Sequence, residues 1–113
     1  MNSENKLKYD SSINDLLENI KVSYNEFTTW ENGKVNFANG LKVKPGRKFD
    51  KVINGSSVWG FIAKTDGVLK GIPYFVGDVF KPASWRGPAK HVRGSIFSSE
   101  TNWFRWTGPN YRL

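Results

Sequence analysis

Apolar positions follow two different rhythms along the chain. Beyond Ile13, the residues Leu16, Leu17, Ile20, Tyr24 and Phe27 fall 3, 4, 7, 11 and 14 positions on, which is one stripe of an amphipathic α-helix. Asn14, Glu18, Asn19 and Lys21 occupy the opposite face. Ser11 or Ser12 is suited to accept the first free amides, and Asp15 suits the positive helix end. The spacing predicts a helix over residues 12–26, stopped by the β-branched Thr28-Thr29 pair. The polar residues 1–9 ahead of it are expected to fray.

After Thr29 the rhythm shortens. Asn32-Gly33, Asn39-Gly40, Asn54-Gly55 and Asp66-Gly67 carry residues that tolerate positive φ, as tight hairpins require. They bracket short runs at Lys34–Ala38, Leu41–Lys44, Lys48–Ile53 and Ser57–Lys64. In Leu41-Lys42-Val43-Lys44 apolar and basic residues alternate, so two lysines face outward. The run from Ser57 puts Trp59, Phe61 and Ala63 on one parity and Val58, Gly60 and Ile62 on the other; both faces are apolar, which predicts a central strand. Pro45-Gly46 marks a turn, and Pro73 confines its neighbourhood to an edge or a strand start. Tyr74–Phe80 reads as strand, Gly77-Asp78 kink, strand. Lys81–Gly94 loses all periodicity and contains two prolines and two glycines, so a long structured loop is expected there, followed by a short strand at Ser95–Phe97. The aromatic ending from Trp103 to Leu113 is expected to dock back on the body. The fold class that results is α+β, one domain over residues 1–113. Its N-terminal helix packs on a twisted, mostly antiparallel sheet of five to seven short strands, with a small barrel as the closed variant.

Composition narrows the chemistry. The 113 residues include no cysteine and one histidine, His91, which removes disulfides, thiolate metal sites and cysteine nucleophiles and disfavours zinc. No metal and no cofactor is expected. No apolar run nears the roughly 18–20 residues that span a bilayer, and the N-terminus lacks the apolar core of a signal peptide. A cytoplasmic protein with no membrane partner is expected.

Charge changes the picture more. Seventeen Lys and Arg stand against ten Asp and Glu. Residues 1–33 carry three lysines and six acids, a net −3, whereas residues 34–113 carry a net +10. A field of that kind draws polyanions, and nucleic acid is the commonest of them inside cells. Lys81, Arg86, Lys90, His91 and Arg93 surround Trp85 in the aperiodic segment. Cations on a loop can follow a phosphate backbone, and an indole offers a base a flat surface. Lys42, Lys44, Arg47, Lys48 and Lys51 form a second basic patch around Pro45-Gly46. If the two patches lie side by side they make a groove; if they lie apart the basicity is diffuse.

Enzyme readings have less to stand on. A metal-independent nuclease could use His91 as base, with Lys90 or Arg93 stabilising a pentavalent phosphate. Yet the same cations repel the imidazolium that a Ser-His-acid relay must form. The glycines match neither a P-loop nor a dinucleotide fingerprint. The aromatic cluster of Trp103, Trp106 and Tyr111, with Arg105 between, supports another alternative, docking on a host or virion protein.

The stretch Val76-Gly77-Asp78-Val79-Phe80-Lys81-Pro82-Ala83-Ser84-Trp85-Arg86-Gly87-Pro88-Ala89-Lys90-His91-Val92-Arg93-Gly94-Ser95-Ile96-Phe97 resembles a segment of small uncharacterised proteins of tailed bacteriophages. The ending Trp106-Thr107-Gly108-Pro109-Asn110-Tyr111 is similar in character. The resemblance implies a setting, a phage gene product in the host bacterial cytoplasm or in a virion. It implies no activity and assigns no residue a role. From the residues themselves, a small non-catalytic protein that binds DNA or RNA with little sequence preference is the expected function.

Overall fold

The computed structural model describes residues 3–109. Helix α1 runs over Ser3–Phe27 and buries Tyr9, Ile13, Leu16 and Ile20. The helix therefore starts well ahead of Ser12, and the expected frayed segment is helical from Ser3. Tyr9 explains the extension. It lies one turn before Ile13, continues the apolar stripe, and is 1% exposed. Lys6 and Asp10, an i,i+4 pair 2.9 Å apart, decorate the added turn. Ser11 and Ser12 are helix interior, not caps. The helix ends at the Thr28-Thr29 pair as expected, where the Thr28 Oγ1 accepts the Trp30 N–H at 3.1 Å.

Helix α2, Glu31–Gly40, replaces the strand expected at Lys34–Ala38. Neither Asn32-Gly33 nor Asn39-Gly40 forms a hairpin, and neither glycine has positive φ. Packing overrides the weak local propensity. Phe37 stacks flat on Tyr24 of α1 with ring centroids 4.2 Å apart. Gly33 is buried beneath the Trp30 ring, which leaves no room for a side chain there.

Nine strands follow among the described residues: β1 Leu41–Lys44, β2 Phe49–Asn54, β3 Ser57–Ala63, β4 Gly67–Leu69, β5 Ile72–Tyr74, β6 Asp78–Pro82, β7 Pro88–Ser95, β8 Phe104–Arg105 and β9 Gly108–Pro109. Five make an antiparallel sheet in the order β1-β2-β3-β6-β7, with β3 at its centre as its two apolar faces predict. β1 and β7 are open edges, so the sheet is not a barrel. β4–β5 and β8–β9 are separate two-stranded ribbons.

The turns are partly those expected. Gly55, φ +59°, makes the β2–β3 hairpin, and Gly77, φ +89°, makes the kink before β6. The β4–β5 turn uses Lys70-Gly71, both at positive φ, not Asp66-Gly67. The Asp66 carboxylate instead accepts the Val76 N–H at 2.8 Å. Residues 81–94 are not a long loop: Lys81-Pro82 closes β6, Pro88 opens β7, and only residues 83–87 connect them. Of the strand expected at Ser95–Phe97, only Ser95 belongs to β7.

The sheet separates two cores. Toward α1, Val52, Trp59, Ile62 and Val79 pack with Tyr9, Ile13, Leu16 and Ile20. On the other face Phe61, Ala63, Tyr74 and Phe80 form a smaller cluster, with Leu69 from the β4–β5 ribbon against it. Trp59 departs from the parity expected for it. A β-bulge between the pairs Val52–Gly60 and Ile53–Val58 turns Trp59 to the helix side, away from Phe61. There its Nε1–H donates to the Arg105 carbonyl at 2.8 Å. The Trp106 N–H donates to Ser23 Oγ at 3.1 Å, so the C-terminal segment docks back as expected as far as Pro109, with residues 110–113 outside the described residues. No helix among the described residues is long and apolar enough to cross a membrane.

Candidate nucleic-acid interface

Strand alternation builds the basic face. Leu41 is buried and Lys42 exposed, Val43 half-buried and Lys44 exposed. The register pairs Lys44 with Lys51, Lys51 with Phe61, and Phe61 with Phe80. Paired residues share a face, so Lys44 and Lys51 continue outward the row that Phe61 and Phe80 begin in the smaller core. The β4–β5 ribbon covers one part of that face. The lysine part is left to the connection between β6 and β7.

That connection is a closed turn. The Ala83 and Ser84 N–H groups donate to the Gly87 carbonyl at 3.0 and 3.3 Å, and Ser84 Oγ accepts the Arg86 N–H at 3.2 Å. Trp85 and Arg86 stand at its tip. The turn folds over the lysines, with the Lys51 ammonium 4.3 Å and the Lys44 ammonium 5.8 Å from the Trp85 ring centroid. These are cation–π distances, and Trp85 stays 44% exposed. Lys44, Arg47, Lys48, Lys51 and Arg86 together line a concavity of about 420 Å³ floored by Phe49 and Phe61. The two basic segments, residues 42–51 and 81–93, meet here through Lys44, Lys51, Trp85 and Arg86.

Not every predicted residue joins them. Lys42 is exposed on the same side of β1 as Lys44 and extends the patch outward. Lys90 and His91 are exposed on the edge strand β7, outside the concavity. Lys81 is half-buried on β6; its neighbour Phe80 points into the smaller core, so alternation sends Lys81 to the other face. Arg93 is half-buried at the bulge of β7 opposite Val79 and Phe80. Trp103 covers Gly94, and Trp106 packs on Tyr24 and Phe27, so neither forms the exposed aromatic patch expected of the C-terminal cluster. Tyr111 lies outside the described residues. The exposed aromatic side chains at that corner are Phe27 and Trp30.

One arrangement beneath the groove was missed. Asp50, 6% exposed on the helix side of β2, accepts the Tyr9 hydroxyl at 2.8 Å. Its other oxygen lies 3.5 Å from the Lys64 ammonium. Lys64 also donates to the Gly46 carbonyl at 3.0 Å, and its backbone N–H to the Lys48 carbonyl at 3.0 Å. The loop that carries Arg47 and Lys48 is thereby tied to α1 through a buried carboxylate. Burial, and then the hydrogen bond to Asp50, push the Tyr9 phenol well above its ordinary pKa of 10. Tyr9 at one turn before Ile13 is the signal that finds this arrangement. Among the described residues no three His, Cys, Asp or Glu side chains come together as a metal site would need.

The chain belongs to a family of unknown function, DUF7717, whose family model matches residues 2–111. No curated protein and no solved structure matches it.

Proposed function

We propose that this member of the DUF7717 family is a small non-catalytic protein that binds nucleic acid with little sequence preference. The single observation that carries the reading is the convergence of Lys44, Arg47, Lys48, Lys51 and Arg86 on one concavity beside the exposed Trp85. Such cations neutralise phosphates and release condensed counterions, which gives affinity without reading sequence. The indole adds a surface for any base. Helix α1 carries five acidic against three basic residues, a small negative excess that disfavours the same ligand on that side. The proposal includes the setting implied by the phage resemblance, a bacterial cell.

Fluorescence anisotropy with labelled mixed-sequence oligonucleotides across salt tests it. Five cations predict a slope of log affinity on log salt of up to about −3.5 for single strands and −4.5 for duplex. Affinity that is absent, or indifferent to salt, removes the reading.

A second reading, docking on a host or virion protein, is favoured by Phe27 and Trp30, 67% and 61% exposed beside the Tyr24–Phe37 stack. Trp30→Ser separates the two: oligonucleotide affinity is unchanged if the basic groove is the site.

A further inference from the structure

We infer that the ligand this groove prefers is an unpaired strand, with one base laid on the outward face of Trp85. The inference rests on the nucleic-acid reading above and names its substrate class.

Trp85 differs from the other tryptophans in what surrounds it. Trp59 and Trp103 pack on Phe104, and Trp106 packs on Tyr24 and Phe27. Trp30 lies across Gly33. Trp59, Trp103 and Trp106 spend their apolar surface inside the protein, whereas Trp30 is 61% exposed but has no cation over its ring among the described residues. Trp85 meets two ammonium groups instead, and among the described residues no aromatic ring packs on it. Lys44 and Lys51 are cross-strand neighbours that rise from one sheet face, so both reach the ring from the sheet side. The ring is 44% exposed, and with the ammonium groups on the sheet side its outward face is the one left for a ligand.

The ring is also held in place. The turn at residues 83–87 closes on itself through the Gly87 carbonyl and Ser84 Oγ, and the cation–π contacts fix the indole from below. A presenting surface that is already ordered loses little freedom on binding. A base laid on it sits with Lys44, Lys51 and Arg86 within reach of the phosphates on either side.

Paired and unpaired strands use this site differently. A duplex offers phosphates to the cations, but its bases are already stacked and paired. Separating them to reach an indole costs about as much as a single contact returns. An unpaired strand engages the same cations and adds the stack at no such cost. One base on an aromatic ring corresponds to roughly 5- to 150-fold in affinity. DNA and RNA share the chemistry used here, a base face and its flanking phosphates.

The test measures anisotropy of labelled 12-mers of one sequence as single-stranded DNA, single-stranded RNA and duplex DNA, with the full chain in one buffer. Single strands should bind at least about fivefold tighter than duplex. Trp85→Ala should cancel that preference, weakening single-strand binding at least about fivefold while moving duplex binding less than about twofold. Trp85→Phe should restore most of it. Either order of DNA and RNA is compatible with the inference and identifies the source of the strand. Equal or tighter duplex binding overturns the inference and leaves the nucleic-acid reading standing, as does a Trp85→Ala effect that is alike on both or absent. Failure of all three oligonucleotides to bind overturns both. Trp85 is exposed on a turn, and unchanged far-ultraviolet circular dichroism of both variants verifies that the fold is intact.

Discussion

The strands of the five-stranded sheet supply two faces that end differently. On the side of α1, Val52, Ile62 and Val79 are fully buried against Tyr9, Ile13, Leu16 and Ile20. Asp50, the one buried charge among the described residues, has both oxygens near a partner, Tyr9 or Lys64. On the opposite side the apolar cluster stops at Phe61, and the next residues in the same cross-strand row are Lys51 and Lys44 under an exposed indole. The closed face holds the fold together. The smaller cluster on the open face adds to that, whereas the lysine part beyond Phe61 contributes little to stability and carries the charge. Substitutions in the closed core and among the lysines should therefore separate into effects on folding and effects on binding.

The largest effect expected is on the closed face. Ile62→Ala should cost about 2–5 kcal/mol by urea or thermal denaturation, with oligonucleotide affinity of the folded fraction unchanged. Tyr9→Phe should cost about 1–3 kcal/mol, because it leaves the buried Asp50 without its hydroxyl donor. On the open face, Lys44→Ala with Lys51→Ala should weaken oligonucleotide binding roughly 10- to 30-fold near 0.15 M salt and flatten the salt slope by about 2. The same pair should move stability by less than about 1 kcal/mol. If instead the pair unfolds the protein, or Ile62→Ala selectively abolishes binding, the division between the faces is wrong.

A pH series sharpens the closed side. The Tyr9 phenol is held far above 10 in the folded protein, so its contribution is fully present below pH 10 and is lost as pH rises beyond that. The difference in melting temperature between the wild type and Tyr9→Phe should therefore be constant up to about pH 9 and shrink above 10. A difference that grows with pH contradicts the buried hydrogen bond. The smallest effect belongs to Lys90→Ala on the edge strand, which should weaken binding less than about threefold.

Local pattern made much of this legible. The stripe from Ile13 to Ile20, the central position of β3, the Gly55 hairpin and the Gly77 kink all follow from spacing or from a residue that tolerates positive φ. The basic segments were visible too, but their meeting was not, because sequence carries no distance between residue 47 and residue 86. What was illegible depends on partners far along the chain. Helix α2 looks like hairpin turns until Phe37 stacks on Tyr24. Asp50 looks like a surface acid until Tyr9, 41 residues away, reaches it. The bulge that turns Trp59 toward α1 reverses a parity that simple alternation assigns with ease. Lys81 and Arg93 count as loop cations in the sequence, whereas the strands they join send them away from the groove or half-bury them.

The central claim is one of place, and amide chemical-shift mapping tests it most directly. Unlabelled single-stranded 12-mer added to isotope-labelled protein should shift the amides of residues 42–51 and 83–88 and the Trp85 indole N–H, leaving α1 and Trp30 unmoved. Shifts gathered on α1 or around Phe27 and Trp30, or none at all, would contradict the account.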